Sequence, residues 1–346
     1  MKAAILVETG KPLVIAEISP PQRLEYGQVL VRVHASGICG SQIGEIDGVK
    51  GPDKFLPHLL GHEGGGMVED IGPGVRHVKK GDRVVLHWRK GAGIEAPTPK
   101  YAWAGREVNA GWVTTFNEAA VVSENRVTRV DDDLPFEVAA LLGCAVTTGL
   151  GVVTNDARVR IGESIAVYGV GGVGLCVVQG AALAGAWPIV AIDRDAAKLA
   201  MAAQFGATHT LSTAAGPTAA SIRAIVGPGG VDVAVDTTGH VPLIEEAYEV
   251  TSPRGRTVLV GVPRAGEKAR LYTLPLYFGK TLHGSHGGQA EPATDIPRYV
   301  NLWRLGRLRL REMITHTFPL EEINEAIALL RTGGAGRCVI EMNRRP

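Results

Sequence analysis

Cysteine is scarce in this chain of 346 residues: there are 4, and none lies between Cys39 and Cys144. So few thiols cannot build the bridge framework of a small secreted domain. They read as free thiols or metal ligands in a reducing compartment. An excess of one charge is also missing. Lys and Arg number 36 against 35 Asp and Glu, a formal net charge of +1. No basic block or aromatic-interleaved patch is present, so no nucleic-acid partner is expected. Long apolar runs are lacking too. The most apolar region, residues 173–192, is broken by Gln179, Gly180, Gly185 and Pro188. It predicts a buried helix followed by a parallel strand, not a membrane span. The opening apolar stretch, Ala3-Ala4-Ile5-Leu6-Val7, is too short for an export signal, and a cytoplasmic protein is expected. There is no internal repeat and no low-complexity tract.

What the chain does have is an ordinary soluble balance, 45% hydrophobic and 21% charged, at a length that favours two domains. The first part is β-rich and punctuated by glycine. Residues 28–35 alternate like a half-buried strand, and residues 66–72 and 82–86 read the same way. Gly72-Pro73-Gly74 and Lys80-Gly81-Asp82 supply turn chemistry between them. Residues 88–115 have few aliphatic side chains and predict a long irregular surface lobe, a kind of segment that is often functional. Beyond about residue 145 strand-like and helix-like segments alternate. Strands are expected at 164–168, 188–193, 231–236 and 257–261, and helices after the first of these and at 196–205. That alternation predicts a doubly wound parallel sheet. The pattern breaks again near Gly284, and a helix at 320–331 and a strand at 338–342 close the chain. The expected division is therefore residues 1–145 plus 284–346 as one domain and 146–283 as the other.

Three residues sit in frames that suit a metal: Cys39 in Gly37-Ile38-Cys39-Gly40-Ser41, His62 in Gly61-His62-Glu63, and Cys144 in Gly143-Cys144-Ala145. Two thiolates, one imidazole and an open fourth position make a zinc site that can still do chemistry. Such an ion makes a bound oxygen easier to deprotonate. Ser41 stands two residues from Cys39, where a hydroxyl can relay a proton. Glu63, beside His62, can tune the metal. Cys176 and Cys338 lack such frames and read as packing residues.

A glycine turn follows, Gly169-Val170-Gly171-Gly172-Val173-Gly174. A strand is expected to end before it and a helix to begin after Gly171, and Asp193 ends the next strand about 20 residues later, the context that makes this a dinucleotide fingerprint. The helix N-terminus attracts the phosphates. Asp193 accepts from the adenosine ribose and repels a 2′-phosphate, which favours NAD. Arg194 is the residue that argues the other way. Lys198 is a further cofactor candidate.

These motifs, with Gly81-Asp82-Arg83-Val84 and Thr147-Thr148-Gly149 in the same order, resemble the zinc-dependent medium-chain alcohol dehydrogenases over essentially the whole chain. The resemblance implies a GroES-like catalytic domain with an inserted Rossmann domain, and an active site in the cleft. It makes Cys39, His62 and Cys144 the ligands of one catalytic zinc, Ser41 the hydroxyl that takes the substrate proton, and Trp88 a substrate-pocket side chain. It puts Thr148, Val260 and Val262 by the nicotinamide and Arg337 on the pyrophosphate. It also implies a homodimer or homotetramer, with the Rossmann edge strand near 257–262 and beyond as the contact. Four positions depart from the family pattern. The cysteines of a second, structural zinc are missing, which implies a subtype without it, its lobe held by packing. Gln42 stands where an acid orients the ligand histidine. Gly44 replaces a proton-relaying histidine, and Gly40 a phosphate-binding basic residue. The expected activity is alcohol–carbonyl redox with NAD; the polar lobe hints at a sugar, polyol or cyclitol, with a simple or aromatic alcohol as the alternative substrate. A metal-free enoyl or quinone reductase on the same scaffold, and a non-catalytic NAD-binding protein, are the alternatives.

Overall fold

The computed structural model describes residues 1–342. It divides into two compact units, Met1–Cys144 with Glu291–Pro346, and Ala145–Ala290. The first unit therefore resumes at Glu291, seven residues beyond the point where the sequence pattern breaks at Gly284. The reason is that Thr281–Gly284 pairs in parallel with Thr251–Leu259 and completes the second unit's sheet.

The first unit is built on two sheets. Gln28–Gly37 is the spine of the larger one. It pairs antiparallel with Glu63–Ile71, Ala119–Ser123 and Arg337–Glu341. Val29, Val31 and Val33 are fully buried along it, the alternation of a strand with one face in the core. Arg83–His87 extends this sheet beside Glu63–Ile71. The return of the chain after residue 290 is what lets Arg337–Glu341 join strands from the opening third. Before it, the helix Ile323–Thr332 ends on Gly333 at φ +84, a left-handed C-terminal position that glycine fills without strain.

The lobe departs from its expected irregular form. Lys100–Trp103 and Arg106–Asn109 form a hairpin, with Tyr101 opposite Val108. The two residues between them, Ala104 and Gly105, both have positive φ, the requirement of a tight hairpin turn matched to strand twist. Tyr101 and Val108 are 2% and 0% exposed, which anchors the hairpin in a small core with Ala3, Ile5 and Leu59.

The second unit is a six-stranded parallel sheet in the order His209–Ser212, Ile189–Asp193, Ile165–Tyr168, Val231–Asp236, Thr251–Leu259, Thr281–Gly284. The order runs outward in both directions from the first strand of the unit, the doubly wound arrangement, with its switch point beside Ile165–Tyr168. All four residues of that strand are buried, as expected of a strand covered on both faces. Residues 173–192 resolve into the helix Gly172–Leu183 and the strand Ile189–Asp193. Asp195 starts the next helix, its carboxylate accepting from the Ala197 and Lys198 N–H groups. On this side the sheet's edge lies beyond 257–262, at Thr281–Gly284, because Thr251–Leu259 has a neighbour on each side. Among the described residues no single helix is long and apolar enough to cross a membrane.

Candidate metal centre and nucleotide turn

Cys39, His62 and Cys144 converge. One ligand atom of each lies within 4.8 Å of the others. Cys39 immediately precedes the helix Gly40–Ile46, His62 immediately precedes the strand Glu63–Ile71, and Cys144 follows the helix Phe136–Leu142 and its Gly143 cap. Glycine makes the approach possible. Gly61 has φ +89, and a Cβ there would stand 2.4 Å from Thr115 Oγ1; one on Gly143 would stand 2.3 Å from the Leu86 carbonyl oxygen.

The donor set fits a zinc ion. Both sulfurs belong to residues less than a tenth exposed. His62 Nε2 is buried with no hydrogen-bond partner, the state of a nitrogen whose natural partner is a cation. The Cys39 thiol is held well below its ordinary range. Its hydrogen bond with Cys144 is the main cause, burial opposes it, and the His62 ring and the Arg337 guanidinium add to the lowering. A thiol already disposed to ionise is what a metal ligand requires.

Behind the sulfurs lies an ion pair that the sequence reading did not foresee. Arg337 and Glu63 bond side chain to side chain, at 4% and 0% side-chain exposure. Glu63 thus meets Arg337, and Arg337 is wholly buried within the first unit. Burial lowers the Arg337 pKa while the Cys39 thiolate pulls it back up. Gln42 also differs from its expected part. Its Oε1 accepts from the Gly61 backbone N–H and its Nε2 donates to Glu45 Oε2 at 3.1 Å. It therefore fixes the backbone before His62 instead of the imidazole itself.

Ser41 is exposed on the first turn of Gly40–Ile46. Trp88 lines a cavity of about 610 Å³ that also reaches His62, Gln42, Thr98 and Trp112. The lobe carrying Trp88 and Trp112 is tied down by buried charge. Glu124 accepts from the Arg76, His77 and Ile94 N–H groups at 2.5, 2.7 and 2.9 Å. Arg126 bonds to Glu95 and stacks 4.8 Å from the Trp112 ring.

In the second unit the glycine turn has the close geometry its motif implies. Gly169 has φ +81, and a Cβ on Gly174 would stand 1.9 Å from the Gly169 carbonyl oxygen. Gly171 precedes the helix that opens with Gly172 and Val173. Asp193 accepts from the Val170 N–H at 2.9 Å and the Asp195 N–H at 3.0 Å. It lines a pocket of about 690 Å³ with Gly169, Arg194, Lys198 and His240. Thr148 Oγ1 is buried without a hydrogen-bond partner. Val260 is half-buried, and Val262 is 61% exposed.

Comparisons with known proteins agree. Residues 25–132 match the alcohol dehydrogenase GroES-like domain, and residues 172–303 match the zinc-binding dehydrogenase family. The alcohol dehydrogenase class-3 of Cereibacter sphaeroides is 33% identical, over 98% of this chain and 99% of its own. An alcohol dehydrogenase zinc-binding domain protein from Burkholderia ambifaria is similar in structure, with a TM-score of 0.90 at 31% identity over 99% of each chain. The benzyl alcohol dehydrogenase of Acinetobacter calcoaceticus gives 0.89 at 28% identity, again over 99% of each. With its GroES-like and Rossmann-type domains, its Cys2His donor set and its dinucleotide turn, the chain belongs to the zinc-dependent medium-chain alcohol dehydrogenases, oxidoreductases that move a hydride between an alcohol and NAD.

Proposed function

We propose that the alcohol is polar and polyhydroxylated, such as a sugar, polyol or cyclitol. The observation that carries this reading is the cavity at His62. Its lining mixes indole walls, Trp88 and Trp112, with amide, hydroxyl and carboxylate groups of Gln42, Thr98 and Glu45. Aromatic faces against C–H surfaces and convergent polar groups on hydroxyls suit such a molecule better than a purely apolar alcohol.

In this reading Cys39, His62 and Cys144 hold the zinc, which when bound supplies a Lewis acid that eases deprotonation of the alcohol. NAD supplies the acceptor for the hydride. Ser41 accepts the substrate proton at its Oγ as it passes its own hydroxyl hydrogen toward solvent through cofactor ribose or water, a relay its position two residues after Cys39 supports. Trp88 holds the carbon skeleton. Glu63 and Arg337 set the charge behind the thiolates; for Arg337 to reach a pyrophosphate it would have to leave Glu63. Backbone N–H groups of Gly171, Gly172, Val173 and Gly174 receive the pyrophosphate, Asp193 the ribose, and Arg194 and Lys198 flank it. The unsatisfied Thr148 hydroxyl supports a hydrogen bond to the carboxamide of the nicotinamide, with Val260 and Val262 as its apolar wall.

We further propose a subtype without the four-cysteine structural zinc of the lobe, which is held instead by Glu124 and Arg126. We also propose a cytoplasmic homo-oligomer. Exposed Tyr272, Tyr277 and Phe278, close in sequence to the edge strand Thr281–Gly284, support the oligomer, since unpaired strand edges invite pairing.

The test is NADH formation on a panel of sugars and cyclitols beside simple and aromatic alcohols. Preference for the polyols, abolished by a chelator and by Cys39→Ala, is the expected outcome. Preference for aromatic alcohols would overturn the substrate reading. Activity untouched by chelator would instead favour the metal-free reductase.

A further inference from the structure

We infer that Glu45, Asp53 and His58 form a second site for a divalent first-row transition ion, separate from the two-sulfur centre. Among the described residues these three are the other group whose ligand atoms all lie within 4.8 Å of one another. They come from three separate places: the helix Gly40–Ile46, the loop after it, and the strand His58–Leu59.

The histidine is set up as a ligand. His58 is 6% exposed. Its Nδ1 lies 2.9 Å from the Leu59 carbonyl oxygen, which can only accept, so Nδ1 carries the hydrogen. That fixes the tautomer and turns Nε2 toward the carboxylates, 2.8 Å from Asp53 Oδ2. A backbone carbonyl on the far nitrogen is the usual support of a metal-binding imidazole. The carboxylates have supports of their own. The Phe55 N–H donates to Asp53 Oδ1 at 2.8 Å, and Gln42 Nε2 donates to Glu45 Oε2 at 3.1 Å.

Charge favours a cation. No lysine or arginine pairs with either carboxylate among the described residues. The two carboxylates, when ionised, bring two negative charges to the cluster. A divalent ion with a neutral ring brings the sum to zero. Two oxygens and one imidazole nitrogen suit zinc, cobalt or manganese rather than the thiolate-seeking ions. Glu45 and His58 line the same cavity of about 610 Å³ that reaches His62, so an ion has a way in and can take a second oxygen of a polyfunctional ligand.

The experiment is a cobalt titration of the untagged, metal-stripped full chain. Bound metal is counted after gel filtration, and absorption is recorded at each step. The wild type should retain two equivalents, only one of which brings thiolate-to-cobalt absorption. Glu45→Gln and His58→Ala should each retain one equivalent with that absorption intact. Cys39→Ala should lose the absorption and keep the oxygen–nitrogen equivalent. This separates failure of the second site from failure of the two-sulfur one. Far-UV circular dichroism controls for folding, and Glu45→Gln, on a half-exposed side chain, is the mild variant. Saturation of the wild type at one equivalent, or two equivalents retained by both Glu45→Gln and His58→Ala, would overturn the inference.

Discussion

Each ligand of the metal centre is readable from its own few residues, but what stands behind it is not. Gly61-His62-Glu63 marks a turn with a donor; nothing in it says that Glu63 will meet Arg337 from 274 residues away. That pair depends on Arg337–Glu341 joining the sheet of Gln28–Gly37, a long-range pairing. Removing one member of a buried pair leaves a charge without compensation, at a cost of about 3–5 kcal/mol. Arg337→Ala should therefore lower the stability from denaturant melts by that order, and Glu63→Gln with Arg337→Met should recover much of it. A second residue-scale prediction concerns His87. Burial pushes its pKa down from 6.5 to about 4. The neutral ring satisfies both its neighbours, Nδ1 donating to the Arg89 carbonyl and Nε2 accepting from Thr128. The unfolded chain takes up this proton near pH 6.5 and the folded one only near 4. Stability is thus full above about 6.5 and falls as pH drops toward 4, by about 3 kcal/mol. In melts across that range, His87→Gln should show a shallower fall than the wild type. Equal slopes would contradict this account of the ring.

At the scale of elements, parallel strands were the easiest to read, since Ile165–Tyr168 and Val231–Asp236 are short apolar runs bounded by turn residues. The lobe was harder. Its hairpin has only two strongly buried side chains, Tyr101 and Val108, and its signal lies in the Ala104-Gly105 turn rather than in periodicity. Its anchor, Glu124, lies outside the lobe. Against burial, which raises it, the Arg76, His77 and Ile94 N–H groups hold the Glu124 carboxyl below its ordinary range. Glu124→Gln should cost about 2 kcal/mol. Hydrogen exchange should speed up at the amides of residues 88–112 while the second unit is unchanged; uniform acceleration would argue against a local anchor. The glycine turn makes a further prediction. A methyl at Gly174 would collide with the Gly169 carbonyl, so Gly174→Ala should weaken NAD binding at least tenfold by fluorescence titration. Binding at wild-type strength would show that the turn can relax.

For the whole molecule, the order of motifs was legible and the exact return of the chain was not. Gly284 looks like a break because the alternation of strand and helix ends there, yet the residues to Ala290 still belong to the parallel unit. A parallel edge strand has no turn of its own to announce it, and Thr281–Gly284 is defined by its neighbour Thr251–Leu259. The metal centre is easier, because all three ligands lie within the first 144 residues and in one compact unit. The most direct measurement is the zinc-edge X-ray absorption spectrum of the protein loaded with a single equivalent of zinc. The account predicts two sulfurs at about 2.3 Å and one imidazole nitrogen at about 2.0–2.1 Å, with the sulfur shell reduced in Cys39→Ala. A coordination shell without sulfur in the wild type would contradict it.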